Sequence, residues 1–272
     1  METNFAAHCF AVLGNPGRLD VFRLLMRFAP RSVRPTEIAQ ALNLKPNTLS
    51  HYLNEMLTAG LIVVTRRGRS LYYAPNMARL NDLIDFVAHD LARGRSDLLP
   101  SAPPPHVAGR PAVLFLCTGN SARSLMAESL LRSLGGDRFA VFSAGTHPQK
   151  APNPLALEVL RRNGHDITPL WSKSVAEYQS PDAPRFDFVF SLCDAAVIED
   201  CGAFPESPIT AHWGIDDPAA VTGTEAERML AFSRAYSQLR RRIEAFLALP
   251  LQTLGRPALQ REMDAVYIQP FI

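Results

Sequence analysis

Apolar positions follow two different rhythms along this chain, and the rhythm changes at a proline-rich break. Before the break they recur at helical intervals. Leu19, Phe22, Leu24, Leu25 and Phe28 make the inner side of a helix that opens after the turn Gly14-Asn15-Pro16-Gly17. Pro35-Thr36-Glu37 starts a short helix capped by Thr36, with Ile38, Ala41 and Leu42 facing inward. A tight connection, Leu42–Lys45, leads to Pro46 in the first turn of a helix that runs to a stop at Gly60, with Leu49, Leu53 and Leu57 on one face. Leu61–Val64 and Ser70–Tyr73 then read as two strands around the basic turn Arg66-Arg67-Gly68-Arg69. Further helices are expected around 5–12 and 77–93. Two short helices at a tight turn, followed by a basic hairpin, predict a mainly α winged helix-turn-helix domain.

After the break the pattern is that of an α/β domain. Val113–Leu116 is a continuous apolar run suited to a fully buried parallel strand, and Phe186–Leu192 is another. The break, Leu99–His106, holds four prolines within residues 100–105, which neither continue a helix nor join a sheet interior. The expected division is a domain over 1–98, a linker over 99–109 and a second domain over 110–272.

Composition adds little to this division. Residues 1–100 carry 12 Lys/Arg against 8 Asp/Glu and the remainder 16 against 18, a mild asymmetry consistent with a nucleic-acid-facing first domain. No apolar run approaches the roughly eighteen residues that span a bilayer, and the N-terminal stretch does not read as a secretory signal. A cytoplasmic address without membrane association is therefore expected, with the four cysteines as reduced thiols.

The strongest chemical signal is Cys117-Thr118-Gly119-Asn120-Ser121-Ala122-Arg123-Ser124, placed between a buried strand and the amphipathic helix that carries Leu125, Met126, Leu130 and Leu131. Backbone N–H groups of Thr118, Gly119, Asn120, Ser121 and Ala122 in such a turn form an anion nest, and a helix N-terminus adds positive potential. Arg123 is suited to grip two oxygens of a tetrahedral anion. The same field is expected to lower the pKa of Cys117 and make it a thiolate nucleophile. Ser124 would donate to that sulfur, and Asn120 would hold the loop in shape. A leaving oxygen needs a proton, and Asp217, in Asp216-Asp217-Pro218, is the expected general acid. Cys193 closes the second strand, and Cys201 follows eight residues later. A regular helix over 193–201 would set their Cα atoms about 12 Å apart, beyond the about 7 Å that a disulfide spans. His147, His165 and His212 have no metal-ligand spacing and read as structural or surface residues; neither a metal nor a cofactor is expected.

Residues 5–95 resemble the ArsR-type winged-helix repressors through Leu13-Gly14-Asn15-Pro16-Gly17-Arg18-Leu19, Thr48-Leu49-Ser50-His51-Tyr52-Leu53 and Ala59-Gly60-Leu61-Ile62. The resemblance implies a homodimer paired through the first and last helices of that domain and bound to operator DNA. It implies that Asn47, Thr48, Ser50 and His51 meet the major groove, and that Arg67 and Arg69 contact the backbone from the wing. Arsenic-sensing relatives often place two cysteines at the start of the third helix; Arg31–Glu37 has none here. Cys9 is the domain's single thiol, and Asp85 with His89 reads as a solvated acidic face.

Residues 111–265 resemble the low-molecular-weight tyrosine phosphatase fold, a three-layer α/β sandwich around a short parallel sheet, and within it the arsenate-reductase branch. Three features carry that preference: the central Thr-Gly-Asn-Ser-Ala, the extra thiols Cys193 and Cys201, and Ala219-Ala220 where phosphatases of this fold carry aromatics. The resemblance implies that Cys117 attacks arsenate, that Cys193 attacks Cys117 as arsenite leaves, and that Cys201 passes the disulfide to thioredoxin. A glutaredoxin-like thiol donor is the alternative. Phosphate and sulfate are oxyanions of the same shape. Two other readings of the chain stay open: a transcription factor with an oxyanion- or redox-sensing domain, and a phosphatase fused to a regulator.

Overall fold

The computed structural model describes residues 2–95, 109–179, 183–198, 204 and 208–268; the linker residues 99–108 and Cys201 lie outside them. The chain divides into two compact units, Met1–Ala102 and Pro103–Ile272.

In the first unit α1 (Thr3–Leu13), α2 (Pro16–Phe28), α3 (Pro35–Ala41) and α4 (Pro46–Thr58) precede a hairpin of β1 (Ile62–Arg67) and β2 (Ser70–Pro75). Next come α5 (Met77–Asp85) and a π-helical segment, Phe86–Leu91. Prolines open α2, α3 and α4, where the missing N–H costs no helical bond. The core is that expected from helical spacing, with shifts of one position. In α2 Val21 is buried and Leu19 is 41% exposed. In α4 the buried face is Leu49, Leu53 and Met56, with Leu57 only half-buried, because a 3.6-residue period returns after seven residues rather than eight. Thr36 is not the cap of α3. Arg34 holds that position, and the Glu37 carboxylate accepts from its backbone N–H at 2.8 Å. The strands run further than the apolar pattern suggests, pairing antiparallel from Ile62↔Pro75 to Arg67↔Ser70. Arg66 and Arg67 thus belong to β1, and the turn is Gly68-Arg69.

The second unit is a parallel four-stranded sheet in the order β4-β3-β5-β6, made of β3 (Ala112–Cys117), β4 (Ala140–Gly145), β5 (Phe188–Ser191) and β6 (Ile209–His212). It is accompanied by α6 (Arg123–Gly135), α7 (Pro154–Arg162), α8 (Asp194–Ile198), α9 (Glu225–Leu247) and α10 (Arg256–Ile268). All six residues of β3 are buried, and each large apolar side chain among them contributes roughly 1.5–3 kcal/mol. Phe115, Phe190, Trp213 and Phe246 interlock at the centre, with the Phe190 and Trp213 rings stacked 4.0 Å apart. This core fixes the carboxyl ends of β3, β5 and β6 side by side, at the edge of the sheet where α/β proteins place their sites.

Candidate functional site

Cys117 is the last residue of β3 and Arg123 the first of α6, so the five residues between them must turn within one strand-to-helix connection. Asn120 takes the tightest point with φ +39°, a left-handed conformation that Asn tolerates better than most residues. Its backbone N–H donates to Cys117 Sγ at 3.2 Å. Its side chain is a clamp. Nδ2 donates to Ser124 Oγ and to Ser143 Oγ, both at 2.8 Å, and Oδ1 accepts from Lys173 N at 2.7 Å. Gly145, at the end of β4, is required by this turn, because a Cβ there would lie 2.6 Å from Thr118 O and 2.9 Å from Asn120 N.

Behind the loop is a buried polar network with no counterpart in the sequence motifs. Ser143 donates to Glu128, whose carboxylate also takes Lys173 Nζ at 2.9 Å and Arg132 at 2.6 Å. Glu128 and Lys173 are both 2% exposed, and the Trp171 ring covers the ammonium at 4.5 Å. Such pairing satisfies charges that would otherwise be prohibitive to bury. Nothing in the linear sequence marks Lys173, Glu128 and Ser143 as partners; they meet only because α6, β4 and the segment after α7 converge behind Cys117.

Arg123 is half-committed. Its NH1 donates to Ile215 O at 3.0 Å and its NH2 to Asp217 Oδ2 at 2.9 Å. Asp217 Oδ1 accepts from Ala219 N, an Asp-Pro turn contact. The loop carrying Asp217 is held in turn by the buried Arg242 of α9, which donates to the carbonyls of Trp213 and Gly214. Arg123 and Asp217, ninety-four residues apart, are thus brought into contact.

The thiol itself departs from expectation. Ser124 Oγ lies 2.8 Å from Cys117 Sγ, as read from the sequence. Full burial nevertheless pushes the Cys117 thiol above its ordinary value, and the Ser124 hydrogen bond and the Arg123 charge offset this only in part. A desolvated sulfur anion is costly, and the Arg123 guanidinium is already paired with Asp217.

Cys193 stands two residues past the end of β5, buried, with its Sγ 3.3 Å from Thr118 Oγ1. The second thiol thus lies against the loop that begins at Cys117. Cys201 falls outside the described residues, so the expected 193–201 exchange has no geometry here. The described part of that stretch is helical, as α8. His212, read as structural or surface, is buried and bonded to both Ser191 and Asp194.

In the first unit Asn47, Ser50 and His51 are exposed on the first turns of α4, and Thr48 is half-buried. Arg67 and Arg69 are exposed on the wing; Arg67 donates to Ser32 Oγ at 3.2 Å and lies over the Tyr72 ring. Cys9 is fully buried in the core, its Sγ 3.6 Å from Ala59 O. Asp85 and His89 are both exposed.

A thiol at a strand-to-helix turn, next to an Arg–Asp pair anchored at the start of the same helix, sits at the carboxyl edge of a parallel α/β sheet. The chain belongs to the low molecular weight phosphotyrosine protein phosphatase family, which it matches over residues 112–262, and residues 15–63 match the bacterial regulatory proteins of the arsR family. Among curated relatives, an arsenate reductase of Halalkalibacterium halodurans is 37% identical over 134 residues, 49% of this chain and 93% of that protein. An arsenate reductase of Bacillus subtilis is 36% identical over 134 residues, with the same coverage. A solved arsenate reductase in its phosphate-binding state is 29% identical, spans 51% of this chain and 97% of its own, and has a TM-score of 0.40. The chain is thus an ArsR-type helix-turn-helix joined to a low-molecular-weight-phosphatase domain. No helix among the described residues is long and apolar enough to cross a membrane.

Proposed function

We propose that the second unit reduces arsenate to arsenite through Cys117, Cys193 and Cys201, and that the first binds operator DNA as a repressor. The observation that carries the enzymatic part is Cys193 Sγ at 3.3 Å from Thr118 Oγ1, a second thiol set against the nucleophile loop where a phosphatase has no need of one. The arsenate reductases among its relatives agree with this reading.

An incoming oxyanion takes the N–H groups of Thr118–Ala122 and exchanges with Asp217 for the Arg123 guanidinium, which has five N–H donors and uses two at rest. That exchange frees the Asp217 carboxyl to carry a proton to the departing oxygen. The Cys117 sulfur attacks arsenic, forming the S–As bond as water leaves. Cys193 then attacks the Cys117 sulfur. An S–S bond forms, the S–As bond breaks, and its electron pair stays on arsenic, which becomes As(III). Cys201 attacks Cys193, releasing Cys117, and the resulting disulfide is reduced by a thioredoxin-type donor, with a glutaredoxin-like one as the alternative. On the DNA side, Asn47, Thr48, Ser50 and His51 would read the major groove while Arg67 and Arg69 meet phosphates. Exposed Phe10, Ile84, Val87 and Leu91 on the first and last helices of that unit are suited to pairing two protomers.

The test is arsenate-dependent NADPH oxidation with thioredoxin and its reductase. Turnover in the wild type that disappears in Cys193→Ser and Cys201→Ser is expected. Absent turnover, with aryl phosphate hydrolysis that survives both substitutions, would replace the reductase reading by the phosphatase one.

A further inference from the structure

One buried side chain joins three parts of the active-site edge. His212 ends β6 and is only 2% exposed. Its Nδ1 lies 3.0 Å from Ser191 Oγ, on its ladder partner at the end of β5. Its Nε2 lies 3.1 Å from Asp194 Oδ1, on the residue directly after Cys193 and the first of α8. The turn toward Asp217 passes the same ring, since a Cβ at Gly214 would come within 2.6 Å of His212 Nε2.

We propose that His212 is a positioning residue for the second thiol: through Asp194 it fixes the chain at Cys193, and so aims that sulfur at Cys117. The inference rests on the thiol-relay reading above. Its physical basis is the point at which the sheet stops restraining the chain. The ladder pairs Leu116 with Ser191, and Leu192 N donates to Leu116 O at 2.8 Å, which sets Leu192 opposite Cys117. Cys193 is the first residue beyond that restraint. The helix that follows, described over Asp194–Ile198, begins at the residue adjoining the sulfur, and the His212–Asp194 bond acts on that first residue. Ser191 completes the arrangement: if its hydroxyl donates to Nδ1, the ring carries its proton on Nε2 and presents it to the Asp194 carboxylate. A disulfide tolerates only a narrow range of separation and torsion, so loss of this bond lowers the effective concentration of Cys193 at Cys117.

The experiment uses the full chain in a Cys201→Ser background, where oxidation stops at the Cys117–Cys193 disulfide. Diamide is the oxidant: the two thiols give up two protons and two electrons, the S–S bond forms, and diamide becomes the hydrazine. The variants are His212→Asn, which keeps a polar group near Nδ1 but not Nε2, His212→Gln, which keeps a donor near Nε2, and Asp194→Ala. Disulfide formation, read by peptide mass spectrometry without reduction, is expected to slow about tenfold in His212→Asn and Asp194→Ala, and to recover most of that loss in His212→Gln. Iodoacetamide alkylation of Cys117 is expected to stay within about twofold in all three, because the loop that holds Cys117 is untouched. Disulfide formation at the parent rate in His212→Asn and Asp194→Ala overturns the proposal. So does a His212→Gln as slow as His212→Asn, or a parallel fall in Cys117 alkylation, which marks general loosening. If the parent forms the diamide disulfide but the wild type yields no arsenite from arsenate with thioredoxin and its reductase, the reductase reading fails while the tether stands.

Discussion

The reactivity of this site turns on a few atoms around Cys117 Sγ. Burial raises the thiol's pKa, and Ser124 is the largest influence in the opposite direction. In the anion-free protein, Cys117 alkylation by iodoacetamide should therefore keep rising with pH above the ordinary thiol value of about 8.5. Removing the hydroxyl in Ser124→Ala should displace that profile upward by about one unit, since a hydrogen bond to a charged group is worth roughly 1.5–3 kcal/mol. The sign for stability follows from the same shift. A thiol whose folded pKa is raised favours the native state below its unfolded pKa, and that contribution is lost as pH rises through the folded value. Gly145 is a second point of single-atom control. Its Ala variant meets two backbone atoms of the loop at under 3 Å, so it should reduce Cys117 alkylation and phosphate binding together, as isothermal titration with inorganic phosphate would register.

At the level of elements, the Cys117 loop is held through α6 and the Asp217 loop through α9. The Lys173–Glu128 pair ties α6 to the segment that donates to Asn120. Lys173→Met leaves a buried carboxylate with Arg132 as its remaining cation, and should lower the unfolding free energy by about 3 kcal/mol in urea titrations. Glu128→Gln added to it should recover part of that loss. From α9, Arg242 holds the carbonyls at the root of the Asp217 loop. Arg242→Met should lower kcat for arsenate by about tenfold with a smaller change in KM, the behaviour of a misplaced acid rather than a weakened anion site. None of these partners was legible beforehand. The Cys117–Ser124 loop was, because its chemistry lies within eight consecutive residues and its strand and helix have clear periodicities. Lys173, Glu128, Ser143 and Arg242 are ordinary polar residues at ordinary spacings, and only their convergence makes them part of the site.

For the molecule as a whole, the joining of the two units places the proposed reductase and the proposed repressor on one chain. The contributions are separable by their dependence on salt. Arg67→Ala with Arg69→Ala should weaken binding to any duplex and reduce the slope of log K against log salt by about two. Cys117→Ser should leave that slope unchanged while abolishing arsenate turnover. Gel-shift titration at several salt concentrations measures the first, and coupled NADPH oxidation the second.

By itself the sequence determined the two-part organisation, the class of each part and the loop from Cys117 to Arg123, because those depend on local periodicity and on motifs a few residues long. It misplaced the fine register of α2 and α4 and the cap of α3, where one residue decides and neighbouring side chains compete. Only the tertiary structure decided the protonation tendency of Cys117, the resting Arg123–Asp217 pair, the buried network behind Asn120 and the setting of Cys193 against Thr118. Those depend on burial and on contacts between residues tens of positions apart, and desolvation and packing act through space rather than along the chain.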